Sequence, residues 1–399
     1  MAVCALAISG PVQAQDTNSA PAPRSLASIA KSFATVKRQE TESLASKLSL
    51  SMTPEIKAFF EAAEAGDTAA VSNRFHQTML RPDGSSAIPN ILWIPIHETL
   101  GLYELVMDNN PSMSRLFAER ILGSMPEGSI YFGGTDAGRF LVTGFDDTAA
   151  HPRIMVMTQN QLADTRYAQY LQTVLSNRVW VLTTQDSQQA FQEYVADLQS
   201  RTPGPDEVLE IKDGHATVRG VTSVMAINGL MARMIFEHNK DKHEFYVEES
   251  YPIQWMYPYV EPHGVILKLN SRPLNALGPD VVARDRAYWD ALTAQLKADT
   301  GFAGDPHSQK AFAKLRAAIG SVYVYRKMDS EAEYAFTQAL ALCPTSPEGL
   351  TRLASLRMAQ GRADEAKELL SRIPPAEKKD APMRSLVDSL LEKLRHLAE

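Results

Sequence analysis

The residue types able to meet a ligand in this 399-residue chain gather just after short apolar runs. Thr135 and Asp136 follow Ile130-Tyr131-Phe132, and Gln159 and Asn160 follow Ile154-Met155-Val156-Met157. Thr184 and Asp186 follow Val179-Trp180-Val181-Leu182, and the run from Phe245 ends in Glu248-Glu249. In an open parallel sheet, ligands bind beyond the carboxyl ends of the strands. If these runs are neighbouring strands, their tips make a cleft of amides, hydroxyls and carboxylates, suited to a polar, hydroxyl-rich ligand such as a sugar. Each of these residues is equally a natural N-cap at a strand-to-helix turn. Asp136, Glu248 and Glu249 could also do acid–base work on a glycoside if two of them stood about 5–10 Å apart across a cleft.

Other chemistries find less support. Gly133-Gly134-Thr135-Asp136-Ala137-Gly138-Arg139 matches a phosphate-cradling loop only in part: Arg139 and Phe140 stand where Lys and Ser/Thr are needed, and Asp136 repels phosphate. Arg139 near a helix N-terminus could hold one anionic group. No dinucleotide fingerprint, Gly-x-Ser-x-Gly elbow or zincin spacing after His97-Glu98 occurs, so no cofactor, nucleophile or metal is expected. His238 and His243 flank a charged turn, and Asp146-Asp147 with His151 is unspecific. The aromatic stretch at 251–259, followed by His263, is the most unusual in the chain; Trp255, Tyr257 and Tyr259 could stack on a sugar or plug the core beneath a loop.

The elements that must position these groups follow from periodicity. Residues 26–80 read as helical, with Thr53-Pro54-Glu55 starting a helix and Gly66-Asp67 stopping it and capping the next. Further helices are expected near 91–107 and 112–123. From Gly128 the pattern changes to strands at 129–132, 154–157, 179–182, 245–248 and 265–269, alternating with helices from about 136, at 162–175, 187–198 and 221–237, and closed by a long one at 279–298. A hairpin flanks Asp213-Gly214. This alternation predicts an α/β fold with a parallel, Rossmann-like sheet over 126–300, behind a helical region at 26–125.

Residues 313–346 fit one tetratricopeptide repeat: Gly320 and Tyr323 on the first helix, Ala332, Phe336 and Ala339 on the second, and Pro344 at its end. The pattern recurs more weakly over 347–380, where Arg357 replaces the usual aromatic, and 381–397 reads as a capping helix. The repeat unit is therefore expected over 306–399. Such a pair binds a peptide or docks on its neighbouring domain.

Composition bounds the partners. With 44% hydrophobic and 22% charged residues the chain is globular, and at a net charge of −7 without basic runs beyond Lys37-Arg38 and Lys378-Lys379, no nucleic acid is expected. No run of about 20 apolar residues spans a bilayer after the N-terminus. Residues 1–14 read as a truncated signal peptide, with Val12 and Ala14 before a cleavage point at Gln15, and 15–25 as a disordered leader. Removing that segment would remove Cys4 and leave Cys343 as the lone cysteine. A periplasmic or otherwise exported protein is expected.

Residues 126–343 resemble a family of uncharacterised bacterial proteins common in Verrucomicrobia, through segments 128–140, 158–164, 248–259 and 261–264. The resemblance implies a fold and no activity. The order of elements also resembles the extracytoplasmic part of protein O-mannosyltransferase-like membrane proteins, which pair an α/β unit with tetratricopeptide repeats. This chain carries none of that family's membrane helices. The leading expectation is a non-enzymatic binding or scaffolding protein of the cell envelope, holding a protein partner through its repeats and a polar ligand at the strand tips; the rival is a glycan-related enzyme domain.

Overall fold

Helix α1 (Leu26–Lys47) opens with Ser25 as N-cap, its hydroxyl accepting from the Ser28 N–H, and buries one stripe from Leu26 through Phe33 to Leu44. The computed structural model describes residues 24–81, 86–148, 153–204, 206–212, 215–249, 251, 253–377 and 381–398. The expected signal segment, most of the leader, Cys4, His151, the Asp213-Gly214 turn and the Lys378-Lys379 pair lie outside them. Helices α2 (Pro54–Ala65) and α3 (Thr68–Arg74) form the expected hairpin. Thr53 caps α2, Asp67 caps α3, and Gly66 between them has φ +78°. A side chain at Gly66 would also meet Lys31, whose Cε lies 2.1 Å from the position of a Cβ. A π-helical turn, Phe75–Met79, continues α3, and α4 (Trp93–Asp108) and α5 (Pro111–Leu122) complete the N-terminal helices.

The sheet is small and mixed. Strand β1 (Ile130–Gly133), buried at all four positions, lies at its centre side. It runs parallel to β2 (Met155–Thr158), reached through a π-helical turn and the short α6 (Val142–Asp147). Then come α7 (Thr165–Leu175), α8 (Thr184–Ser200), the antiparallel hairpin β3 (Val208–Lys212) and β4 (His215–Arg219), and α9 (Val221–Asn239). Strand β5 (Phe245–Val247) pairs parallel with β1, Ile130 opposite Phe245. Strands β6 (Val260–His263) and β7 (Ile266–Leu269) then add antiparallel, giving the order β2-β1-β5-β7-β6.

Two expectations need correction. The sheet is not wholly parallel, because β6 and β7 form a tight hairpin around Gly264 (φ +61°), and a two-residue turn forces antiparallel pairing. Segment 179–182 is not a strand. Val179, Val181 and Leu182 are buried, but Trp180, half-buried, finds its backbone partners on one side chain: its N–H donates to Asn239 Oδ1 at 3.0 Å, and its carbonyl accepts from Asn239 Nδ2 at 2.9 Å. The carboxamide replaces a ladder neighbour. His238, flanking the charged turn at the end of α9, is exposed and stacks on the Trp180 ring with centroids 3.8 Å apart.

Helix α10 (Pro279–Ala298) and the short α11 (Thr300–Ala303) lead into α12 (Pro306–Tyr325), α13 (Asp329–Leu342), α14 (Pro347–Ala359), α15 (Ala363–Ser371) and α16 (Ala381–Ala398). Gly320 of α12 lets the Phe336 ring of α13 approach so closely that a Cβ there would sit 2.4 Å from its Cε1. Within the helical layer, buried ionic contacts tie α10 to α12. Arg316 of α12 donates to both oxygens of Asp285 on α10 at 3.0 and 2.8 Å, and Tyr323 donates to Asp285 at 2.7 Å. No helix among the described residues is long and apolar enough to cross a membrane.

Candidate functional site

At the tips of β1 and β5 the chain closes on itself. Gly134 and Thr135 present successive backbone N–H groups, which donate to Glu248 Oε2 at 3.0 and 2.9 Å. The Thr135 hydroxyl donates to Glu248 Oε1 at 2.5 Å, and its oxygen accepts from the Gly138 N–H. Thr135 is thus the turn's cap, while Asp136 is exposed and caps nothing. Gly138 is bare because Glu248 fills the space above it. Both oxygens of Glu248 are held inside the protein.

The neighbouring tip residues also turn inward. Gln159 is fully buried, with both amide atoms lacking a hydrogen-bond partner among the described residues. The cavity beside it measures about 10 Å³, room for about one water. Asn160 donates to the Gly134 carbonyl at 3.3 Å. Arg139 is buried, stacks on Phe140 and donates through Nη2 to His97 Nδ1 at 3.1 Å. Arginine can only donate, so His97 Nδ1 must accept and the neutral ring carries its proton on Nε2. Burial, with the Arg139 charge added, holds His97 at about 4. Burial also pulls Arg139 below the ordinary guanidinium value.

The aromatic segment divides into separate roles. Trp255 donates its indole N–H to the Gly229 carbonyl at 2.8 Å and packs against Phe236 and Tyr259. His263 Nε2 meets the Ser124 carbonyl at 2.8 Å on the far edge strand. Tyr257 instead reaches the repeats. Its hydroxyl donates to Glu249 Oε2 at 2.7 Å, and its ring stacks on Tyr325 at the end of α12. Burial and then the Glu249 charge raise the Tyr257 phenol well above its usual value.

Glu249 therefore joins two elements. Its other oxygen accepts from Arg352 of α14 at 2.8 Å, and Arg352 also donates to Ser321 of α12 at 2.9 Å. Burial works against the Arg352 charge, but Glu249 together with Tyr257 and Glu348 outweighs it, so its pKa is raised. Above this pair lies a groove of about 530 Å³ between the Gln254–Tyr257 turn and helices α12 and α14. Val324 and Tyr325, 41% and 45% exposed, form one wall; Leu356 and Ala359 form another. The sequence reading did not single out Arg352, Val324 or Tyr325. The available signal was the run Val322-Tyr323-Val324-Tyr325: on a helix, four consecutive large side chains cannot all face one core.

Comparison with known proteins assigns the C-terminal layer. The tetratricopeptide-repeat family model matches residues 330–390, from α13 into α16. No curated protein and no solved structure matches the chain. Residues 330–390 are thus similar to tetratricopeptide repeats, and they follow a small mixed sheet in the chain.

Proposed function

We propose that this is a binding and scaffolding protein of the cell envelope that holds an apolar segment of a protein partner in the groove between α12, α14 and the Gln254–Tyr257 turn. The observation that carries the reading is the exposed Val324–Tyr325 wall on the first helix of the repeats. Side chains of this size left open on a helix that is otherwise packed mark an interaction surface. The Glu249–Arg352 contact supports it, since it fixes both sides of the groove before a partner arrives. The glycan-enzyme alternative would need two free carboxylates across a cleft; of its three candidates, Glu248 and Glu249 each have both oxygens bonded within the chain, which leaves Asp136 without a second.

A photo-crosslinking residue placed at Tyr325 in the full chain, in its native host, tests the reading. One protein should crosslink reproducibly, and its purified form should bind wild type and fail to bind Val324→Asp. Crosslinks that are absent, or binding indifferent to Val324→Asp, would overturn it. The envelope location stands on residues 1–14 and predicts a mature chain starting at Gln15 in the periplasmic fraction; an intact Met1 in the cytosolic fraction would refute it.

A further inference from the structure

A second concave surface lies away from the repeats. Helices α7 and α8 splay apart over α9 and enclose a cleft of about 630 Å³, within the range of about 300–1,000 Å³ common for small-ligand pockets. Its lining contains no Asp, Glu, Lys, Arg or His. One wall carries Gln169 and Gln172 on α7, and the other Gln188 and Gln192 on α8. These spacings of three and four put each pair on one helix face. Gln172 is engaged, donating to the Leu182 carbonyl. Gln169, Gln188 and Gln192 make no side-chain hydrogen bond to other described residues and are exposed to the cleft mouth. Between the walls, Phe191 with the buried Ile227 and Met231 makes an apolar base.

We infer that this cleft binds a neutral saccharide. Each carboxamide both donates and accepts without carrying charge, which matches a ring of hydroxyl groups that do the same. The apolar base suits the C–H face of a pyranose, with Phe191 as the platform. A charged ligand would lose water on entry and meet no counter-charge in exchange. Ordinary solvated helix faces are laced with Lys and Glu, whereas both walls here, Phe191 aside, present amides, hydroxyls and alanine.

The site is independent of the repeat groove, and its test leaves that groove intact. The purified full chain is titrated calorimetrically with maltotriose, mannotriose and tri-N-acetylchitotriose, and with trigalacturonate and the fully deacetylated chitosan trimer as charged counterparts. At least one neutral trisaccharide should bind and raise the Tm. Gln188→Ala with Gln192→Ala should weaken that binding at least tenfold without moving the Tm of the unliganded protein, and Gln169→Ala should weaken it from the opposite wall. The inference is overturned if no neutral trisaccharide binds, if the charged trimers bind as tightly, or if binding survives these substitutions.

Discussion

The guanidinium of Arg352, on the second tetratricopeptide repeat, lies 2.8 Å from the carboxylate of Glu249, the second residue past strand β5. The two are 103 residues apart in the chain, and the pair is largely withdrawn from water. It couples the repeat helix α14 to the sheet that carries the strand-tip cluster.

Removing one partner of this pair should cost more than removing both. Arg352→Met leaves Glu249 buried with Tyr257 as its remaining partner, and a buried charge stripped of its counter-ion costs about 3–5 kcal/mol. Adding Glu249→Gln should recover part of that loss. Urea unfolding of the two single variants and the double variant should give a coupling energy above about 1 kcal/mol; additive losses would mean the contact contributes nothing of its own.

The Gly134–Gly138 turn should prove intolerant of small changes. A Cβ at Gly138 would lie 1.7 Å from Glu248 Oε2, so Gly138→Ala must displace a carboxylate that three donors hold. Overpacking of this kind costs about 3 kcal/mol. Glu248→Gln should cost about 1–3 kcal/mol, because a neutral amide oxygen replaces the charged acceptor of the two N–H groups and the NH₂ meets the Thr135 hydroxyl, which had been donating. Thermal unfolding of each variant measures both effects.

His97 makes stability depend on pH. Its folded pKa, about 4, is depressed from 6.5 by burial and by Arg139 and Arg166, against a smaller opposing effect of Asp164. The neutral ring's contribution is therefore complete above pH 6.5 and is lost as the pH falls from 6.5 to 4, about 3 kcal/mol in all. Asp146, raised to about 6 by burial, titrates in the same window with the opposite sign. The difference in stability between wild type and His97→Gln, followed across that window, isolates the histidine. A difference that does not change with pH would refute its assignment.

Asn239→Leu should unpair both backbone groups of Trp180 at once. With about 1–3 kcal/mol for each buried group left without a partner, a loss of about 2–6 kcal/mol is expected in urea unfolding. Amide exchange at Trp180 should accelerate in the same variant.

Val324→Asp, by contrast, should change stability by no more than about 0.5 kcal/mol, since the side chain is 41% exposed. Circular dichroism and the unfolding midpoint check this. That result would make the variant a clean probe of the groove.

Local signals were enough for the helices. Thr53, Gly66 and Asp67 state the α2–α3 hairpin in residues that act within three or four positions of themselves, and Gly320 with Phe336 states a repeat because the close approach needs a small residue at a fixed spacing. The strands at 130–133, 155–158, 245–247 and 266–269 were equally visible as apolar runs. Pairing was not. Val179-Trp180-Val181-Leu182 has the composition of a strand, yet whether a segment joins a sheet depends on what its backbone meets, and Asn239, 59 residues from Trp180, met it first. The same holds for function. The sequence by itself determined that Glu248 and Glu249 stand together at a strand end; only the tertiary structure decided that one faces the Gly134–Thr135 amides and the other Arg352. Adjacent residues of an extended chain point in opposite directions, and the partners on each side come from parts of the chain whose approach no local pattern records.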